Sequence, residues 1–229
     1  MTSVKICGLV SEEQVLAVAS LPVDHIGFVF ARSKRQVTPV QAGAWIRRMK
    51  EARGDDRPLA AGVFVNFSRE ELAAVLEEAP LDVVQLHGQE DAAYCRWLKE
   101  AYPGLQIFKV ITLTGGAGSR ETSPELVIQE RLQSYQPYVD GILLDTFDPV
   151  YGGGSGKTFA WEAIPPYQAW CREAGVRLIV AGGLNPDNVN ELLESYRPDG
   201  VDVSSGVETE GMKDMDKITS FVGRVKRFV

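Results

Sequence analysis

Two residues that could move protons stand at the ends of short apolar runs. Cys7 follows Val4-Lys5-Ile6, and Asp145 follows Gly141-Ile142-Leu143-Leu144. A cysteine at such a position is commonly an inert buried thiol. Parity argues for more, because in an extended strand Lys5 points the same way as Cys7 and, if buried, its ammonium needs a carboxylate or water. A cation so close favours the thiolate. Asp145 is unexpected at the end of an apolar run unless it caps a backbone group or reacts. A structural hydrogen bond is the alternative reading.

Two further segments suit a phosphate. Gly182-Gly183 lets backbone N–H groups approach an anion closely, and Ser204-Ser205-Gly206, after Asp202, can open a short turn whose N–H groups favour negative charge. The plainer reading of Gly182-Gly183 is a chain reversal; the presence of both segments favours phosphate. Tyr151 to Thr158 ends in the Gly-Lys-Thr of a nucleotide-binding loop, but the first glycine of that pattern is replaced by Tyr151, and residues 146–150 separate it from the preceding apolar run. It reads as a loop beside the site.

These residues need a scaffold that gathers strand ends. Short apolar runs alternate with longer amphipathic ones from end to end, the pattern of a parallel sheet covered by helices. The expected strands are Val4–Gly8, Ile26–Phe30, Ala60–Val65, Val83–His87, Ile107–Leu113, Gly141–Asp145, Leu178–Gly182 and Gly200–Ser204. The expected helices are Ser11–Ser20, Pro39–Arg53, Ser68–Ala79, Glu90–Tyr102, Pro124–Ser134, Trp161–Ala174, Pro186–Tyr196 and Met215–Val225. Ser68 with Glu71 is a capping box, and Asn185-Pro186 puts a proline in a first helical turn. The fifth helix is the weakest, following a Gly- and Ser-rich loop over Thr114–Ser123.

An internal repeat supports eight βα units. Val23-Asp24, Leu81-Asp82, Val139-Asp140 and Pro198-Asp199 each precede an even-numbered strand, and their aspartates lie 58, 58 and 59 residues apart. Aspartate at such an entrance satisfies backbone N–H groups. The expected fold is an α/β protein, a single (β/α)8 TIM barrel over residues 1–229, with its chemistry at the C-terminal ends of the strands. That ring includes Cys7, Arg35, Gln85, His87 and Asp145.

Composition removes other classes. With 24 Lys and Arg against 31 Asp and Glu, the net charge is −7 and no basic cluster is long enough for nucleic acid. Cys7, Cys95 and Cys171 are an odd number without a CxxC, arguing against disulfides or zinc and for a reducing cytoplasm. His25 and His87 have no metal-ligand spacing; His25 reads as structural, His87 as a pocket residue. Cys95 and Cys171 read as packing. No run is long enough to span a membrane and no leader is expected. A monomer or a homodimer is expected.

Taken together, several segments resemble the phosphoribosylanthranilate isomerase family. They are Lys5-Ile6-Cys7-Gly8, Gly27-Phe28-Val29-Phe30 with Ser33-Lys34-Arg35, Gly62-Val63-Phe64-Val65-Asn66, Val84-Gln85-Leu86-His87-Gly88 and Leu143-Leu144-Asp145 with Gly153-Gly154-Ser155-Gly156. Ala181 to Val189 and Val201 to Glu208 complete the set, which runs from the first strand to the last helix. The resemblance implies a cofactor-free Amadori rearrangement of N-(5-phosphoribosyl)anthranilate in tryptophan biosynthesis. It makes Asp145 the general acid, with a raised pKa, and Cys7 the general base, with a lowered one. Arg35 would hold the anthranilate carboxylate, with Gln85 and His87 on the substrate. Gly182, Gly183, Asp202, Ser204, Ser205 and Gly206 would form the phosphate end. The related histidine-pathway isomerase uses two aspartates, one where Cys7 stands. The Lys and Glu set of the neighbouring synthase is not seen at these strand ends. A non-catalytic barrel that binds a sugar phosphate is the alternative from another class.

Overall fold

The computed structural model describes residues 1–113, 128, 132–146 and 161–228. Eight parallel strands close a barrel in sequence order, the last pairing with the first. They are β1 (Ser3–Cys7), β2 (His25–Val29), β3 (Leu59–Phe64), β4 (Val83–Leu86), β5 (Gln106–Leu113), β6 (Gly141–Thr146), β7 (Arg177–Val180) and β8 (Gly200–Val203). Among the described residues the helices are α1 (Glu12–Ala19), α2 (Pro39–Arg53), α3 (Arg69–Glu78), α4 (Ala92–Ala101), the single turn α5 (Gln133–Tyr135), α6 (Ile164–Ala174), α7 (Val189–Tyr196) and α8 (Met215–Arg227). A small antiparallel hairpin, β9 (Glu208–Thr209) and β10 (Met212–Lys213), lies between β8 and α8. No helix among the described residues is long and apolar enough to cross a membrane.

The four repeated aspartates seal the bottom of the barrel in one way. The carboxylates of Asp24, Asp82, Asp140 and Asp199 accept the N–H groups of Val4, Ala60, Ile107 and Leu178, at 2.7, 2.7, 2.8 and 2.8 Å. Each reaches back to the preceding odd-numbered strand, answering a donor at its frayed start. Three also carry a cation: Lys226 on Asp24, Arg57 on Asp82 and Lys99 on Asp140. The first of these ties the end of α8 to the start of the barrel.

Local signals place most helix starts. Ser68 and Glu71 form the expected capping box, as do Thr38 and Gln41 ahead of α2. Two starts differ from expectation. Helix α7 begins at Val189 rather than Pro186, because the Asn185 side chain accepts the N–H groups of Asp187 and Asn188 and holds a turn there. Helix α4 begins at Ala92, capped by Asp91, because Glu90 is drawn inward to Lys109. The expected helix Pro124–Ser134 lies outside the described residues except at positions 128 and 132–134, and the Thr114–Ser123 loop and the Tyr151–Thr158 stretch lie wholly outside them.

The main core fills the space between strands and helices and includes Ile6, Phe28, Phe64, Leu86, Ile142 and Phe221. A smaller cluster fills the barrel interior, from Ala61, Val83, Phe108, Val110, Leu143, Ile179 and Ala181. Alternation continues the interior positions of β4 from Val83 to Gln85 and His87, and those of β6 from Leu143 to Asp145. The apolar plug therefore ends where the polar ring begins. His25 is buried with its ring edge-on to Phe108, and burial, helped by Lys5 and Arg177, lowers its pKa to about 4. It is neutral and structural, as expected.

Candidate active site

At the C-terminal end of the barrel is a cavity of about 370 Å³, within the usual range for a small-molecule site. It is lined by Cys7 on β1, Arg35 after β2, Gln85 and His87 at β4, Asp145 on β6, Gly182 and Gly183 after β7, and Asp202, Ser204, Ser205 and Gly206 at β8. The structure thus brings all the site residues expected from the sequence to one place. Barrel closure puts β7 and β8 between Asp145 and Cys7 on the shorter way round.

Lys5 finds its partner on the adjacent strand. Its ammonium donates to both carboxylate oxygens of Asp202, at 3.1 and 3.0 Å, and both side chains are buried. Register explains the pairing, since Lys5 and Asp202 are direct neighbours across β1 and β8. Burial alone would lower the pKa of Lys5, but Asp202 and Cys7 outweigh it and raise the pKa. Asp202 was expected at the phosphate end; here its carboxylate is taken up by Lys5.

Cys7 also departs from expectation. Burial pushes its thiol pKa up, and the Lys5 cation only partly opposes this. The resting group is a thiol, not the thiolate that a neighbouring lysine alone would suggest. Asp145 shifts as expected, from an ordinary 3.8 to about 7, through burial first and the Asp202 charge second, against one N–H bond from Thr146. Nε2 of His87 lies 3.6 Å from Oδ2 of Asp145. Gln85 is buried, and its Oε1 has no hydrogen-bond partner among the described residues.

Gly182 is demanded by Thr146 first and by Asp145 second. It adopts φ +80, and a Cβ there would stand 2.2 Å from the Thr146 hydroxyl and 2.9 Å from Oδ1 of Asp145. The next residue, Gly183, is also left-handed at φ +66. Its carbonyl accepts from the side chain of Asn188 at 3.0 Å, so the turn after β7 is tied to the start of α7. Beside it, after the adjacent strand β8, residues 205–207 form one 3-10 turn, and Gly206 packs against the Leu184 carbonyl.

With the geometry in place, comparison with known proteins is decisive. The family model for N-(5'-phosphoribosyl)anthranilate (PRA) isomerase matches residues 4–224. The chain belongs to this family. An N-(5'-phosphoribosyl)anthranilate isomerase of Brevibacillus brevis is 46% identical over 226 residues, covering 99% of this chain and 94% of the relative. The phosphoribosyl anthranilate isomerase structure from Thermotoga maritima superposes with a TM-score of 0.77 at 38% identity, with 99% of each chain covered. Another structure of the enzyme, in complex with reduced 1-(o-carboxyphenylamino)-1-deoxyribulose 5-phosphate, superposes at 0.74 with 34% identity and 99% of each chain covered.

Sequence reasoning passed over part of what surrounds this isomerase-family site. Glu208 ends a family-like segment that by itself assigns it no role, and no motif includes Lys213. Lys213 in β10 has a buried side chain that donates to the Ser204 carbonyl at 2.8 Å and to Glu208 at 2.9 Å. Lys109 and Glu90 form a fully buried pair at 3.0 Å, and Lys109 also donates to the Gly88 carbonyl at 2.7 Å. That pair fastens the turn carrying His87. A lysine inside the strand run Ile107–Leu113 and a glutamate just past His87 were the available signals.

Proposed function

We propose that this chain isomerises N-(5'-phosphoribosyl)anthranilate to 1-(2-carboxyphenylamino)-1-deoxyribulose 5-phosphate, the Amadori step of tryptophan biosynthesis, by acid–base catalysis in the cytoplasm. The observation that carries this reading is Asp145, a carboxyl group held half-protonated near neutrality and sharing one cavity with Cys7. A merely phosphate-binding barrel has no need of such an acid.

Asp145 gives its proton to the furanose ring oxygen as the C1′–O bond breaks. The nitrogen lone pair of the aminobenzoate moves in to form a C1′ iminium, which acidifies the proton on C2′. The thiolate of Cys7 takes that proton, and the resulting enolamine tautomerises to the ketone. The substrate supplies its own electron sink. Lys5 beneath Cys7 stabilises the thiolate, and Asp202 keeps Lys5 charged.

Arg35 would take the anthranilate carboxylate with its planar fork. Gln85 offers its unpartnered Oε1 to a sugar hydroxyl, and His87 lies against Asp145 on the substrate side. The phosphate falls to the backbone N–H groups of Gly182, Gly183, Ser205 and Gly206 and to the Ser205 hydroxyl, because the Ser204 hydroxyl donates to the Cys7 carbonyl at 3.1 Å. We remove Asp202 from that set, since a carboxylate repels phosphate and this one is held by Lys5.

The first test is turnover of freshly prepared N-(5'-phosphoribosyl)anthranilate, followed as loss of its fluorescence. No acceleration over the spontaneous background would end the proposal. A second test addresses the phosphate end. Gly183→Val should weaken binding of the reduced product analogue about ten- to a hundredfold, the scale of losing one or two charge-assisted hydrogen bonds. It should leave a dephosphorylated analogue bound as before. Equal losses for both ligands would count against the cup.

A further inference from the structure

Arg35 sits on an exposed segment, with Arg32, Ser33, Lys34 and Gln36 open to solvent around it. Little in its own loop fixes where its side chain points. A free arginine that must be caught in one geometry on binding gives up rotamer entropy, so something else must hold it for ligand binding to gain from a preset fork.

Glu208 does so from behind. Its Oε1 accepts from Nε of Arg35 at 2.6 Å, and its Oε2 accepts from Nη2 at 3.0 Å. The stem of Arg35 passes over Gly8, where a Cβ would meet Cδ at 2.5 Å, so the glycine after Cys7 is what lets the side chain lie across the end of β1. Arg35 lines the cavity, whereas Glu208 does not. A guanidinium has five N–H donors in a rigid fork. With the Nε and Nη2 edge on Glu208, the Nη1 and Nη2 edge is the one left to meet a second carboxylate.

Glu208 is itself fixed. Its side chain is 6% exposed, and Lys213 donates to it at 2.9 Å from the paired position in β10. Lys217 donates to its carbonyl at 2.9 Å. Burial would raise its pKa, but Arg35 and Lys213 prevail and hold it at about 2, so it is a permanent anion.

We propose that Glu208 is a positioning residue that presets Arg35 to receive the carboxylate of the substrate, and so sets the preference for a carboxylated aniline. The proposal rests on Arg35 as the carboxylate receptor. It is tested with two ligands, the reduced product analogue and its phenylamino counterpart lacking the ring carboxylate. Glu208→Gln should weaken the first about tenfold and the second by less than twofold, and in an Arg35→Met background it should have no further effect. In turnover, KM should rise about tenfold while kcat falls less than threefold.

Equal weakening of both ligands by Glu208→Gln, or an undiminished loss in the Arg35→Met background, overturns the positioning role. Arg35→Met that weakens both ligands alike overturns instead the assignment of Arg35, and Glu208 with it. Should the Gln variant fail to fold, Glu208→Asp keeps the charge for Lys213 but withdraws the carboxylate by one methylene. It should give the same ligand-selective loss, and a non-selective one overturns the proposal.

Discussion

Replacing Asp145 by Asn should lower turnover by about two to four orders of magnitude, the usual worth of a general acid, while making the protein more stable at alkaline pH. Both effects have one cause. The folded state lifts this carboxyl from 3.8 to about 7, chiefly by burying it. The sign follows from linkage. Between about pH 4 and 7 the folded protein holds a proton that the unfolded chain has released, so the contribution present below 3.8 is lost as pH rises through about 7. Full ionisation then costs on the order of 4 kcal/mol. Asparagine has no such slope, and its oxygen can still accept the Thr146 N–H that now reaches Oδ1 at 2.7 Å. The stability advantage of the variant should therefore grow by about 2–3 kcal/mol between about pH 5 and pH 8, or roughly 5–10 °C in Tm. A Tm difference that does not change with pH would show that Asp145 is an ordinary carboxylate. Near-normal turnover would remove it from the chemistry.

The barrel was legible because its signals are local and periodic. Apolar runs such as Gly141–Leu144 mark strands buried on both faces, and the spacing of Asp24, Asp82, Asp140 and Asp199 betrayed the fourfold pattern that the hydrogen bonds then explain. Residues at strand ends needed only the strand count to be placed at one mouth. What could not be read was who meets whom across it. Lys5 announced that it required a carboxylate, but Asp202 is 197 positions away and becomes its neighbour only when β8 closes on β1. Glu208 is 173 positions from Arg35. Burial was equally invisible, which is why a lysine two residues from Cys7 suggested a lowered thiol pKa. The desolvation of the folded cavity reverses that direction. The same blindness hid the Glu90 and Lys109 pair, since nothing local tells a helix-start glutamate to turn inward.

The ordering of the two pKa values makes the second large prediction. Asp145 lies at about 7, and burial holds Cys7 above the ordinary thiol range. The reactive form needs the reverse distribution, acid on Asp145 and thiolate on Cys7, so it is a minor tautomer of the free enzyme. In such an enzyme kcat/KM is proportional to a minor tautomer. It rises with pH until Asp145 has titrated, runs level while one proton is shared between the two sites, and falls only when Cys7 ionises in bulk. Cys7→Ser should lower kcat/KM by about two to four orders of magnitude, and its residual activity should fall as pH rises through about 7, where the parent enzyme rises. Asp145→Asn should show the opposite remnant, a rise continuing to the thiol pKa. The limbs exchange because each variant leaves one titrating group, and that group then reports its own required form. A Cys7→Ser enzyme that keeps the rising limb of the parent, or keeps its rate, would mean that the base is another residue. A rise that still breaks to a plateau at about 7 in Asp145→Asn would assign that break elsewhere and undo the acid assignment as well.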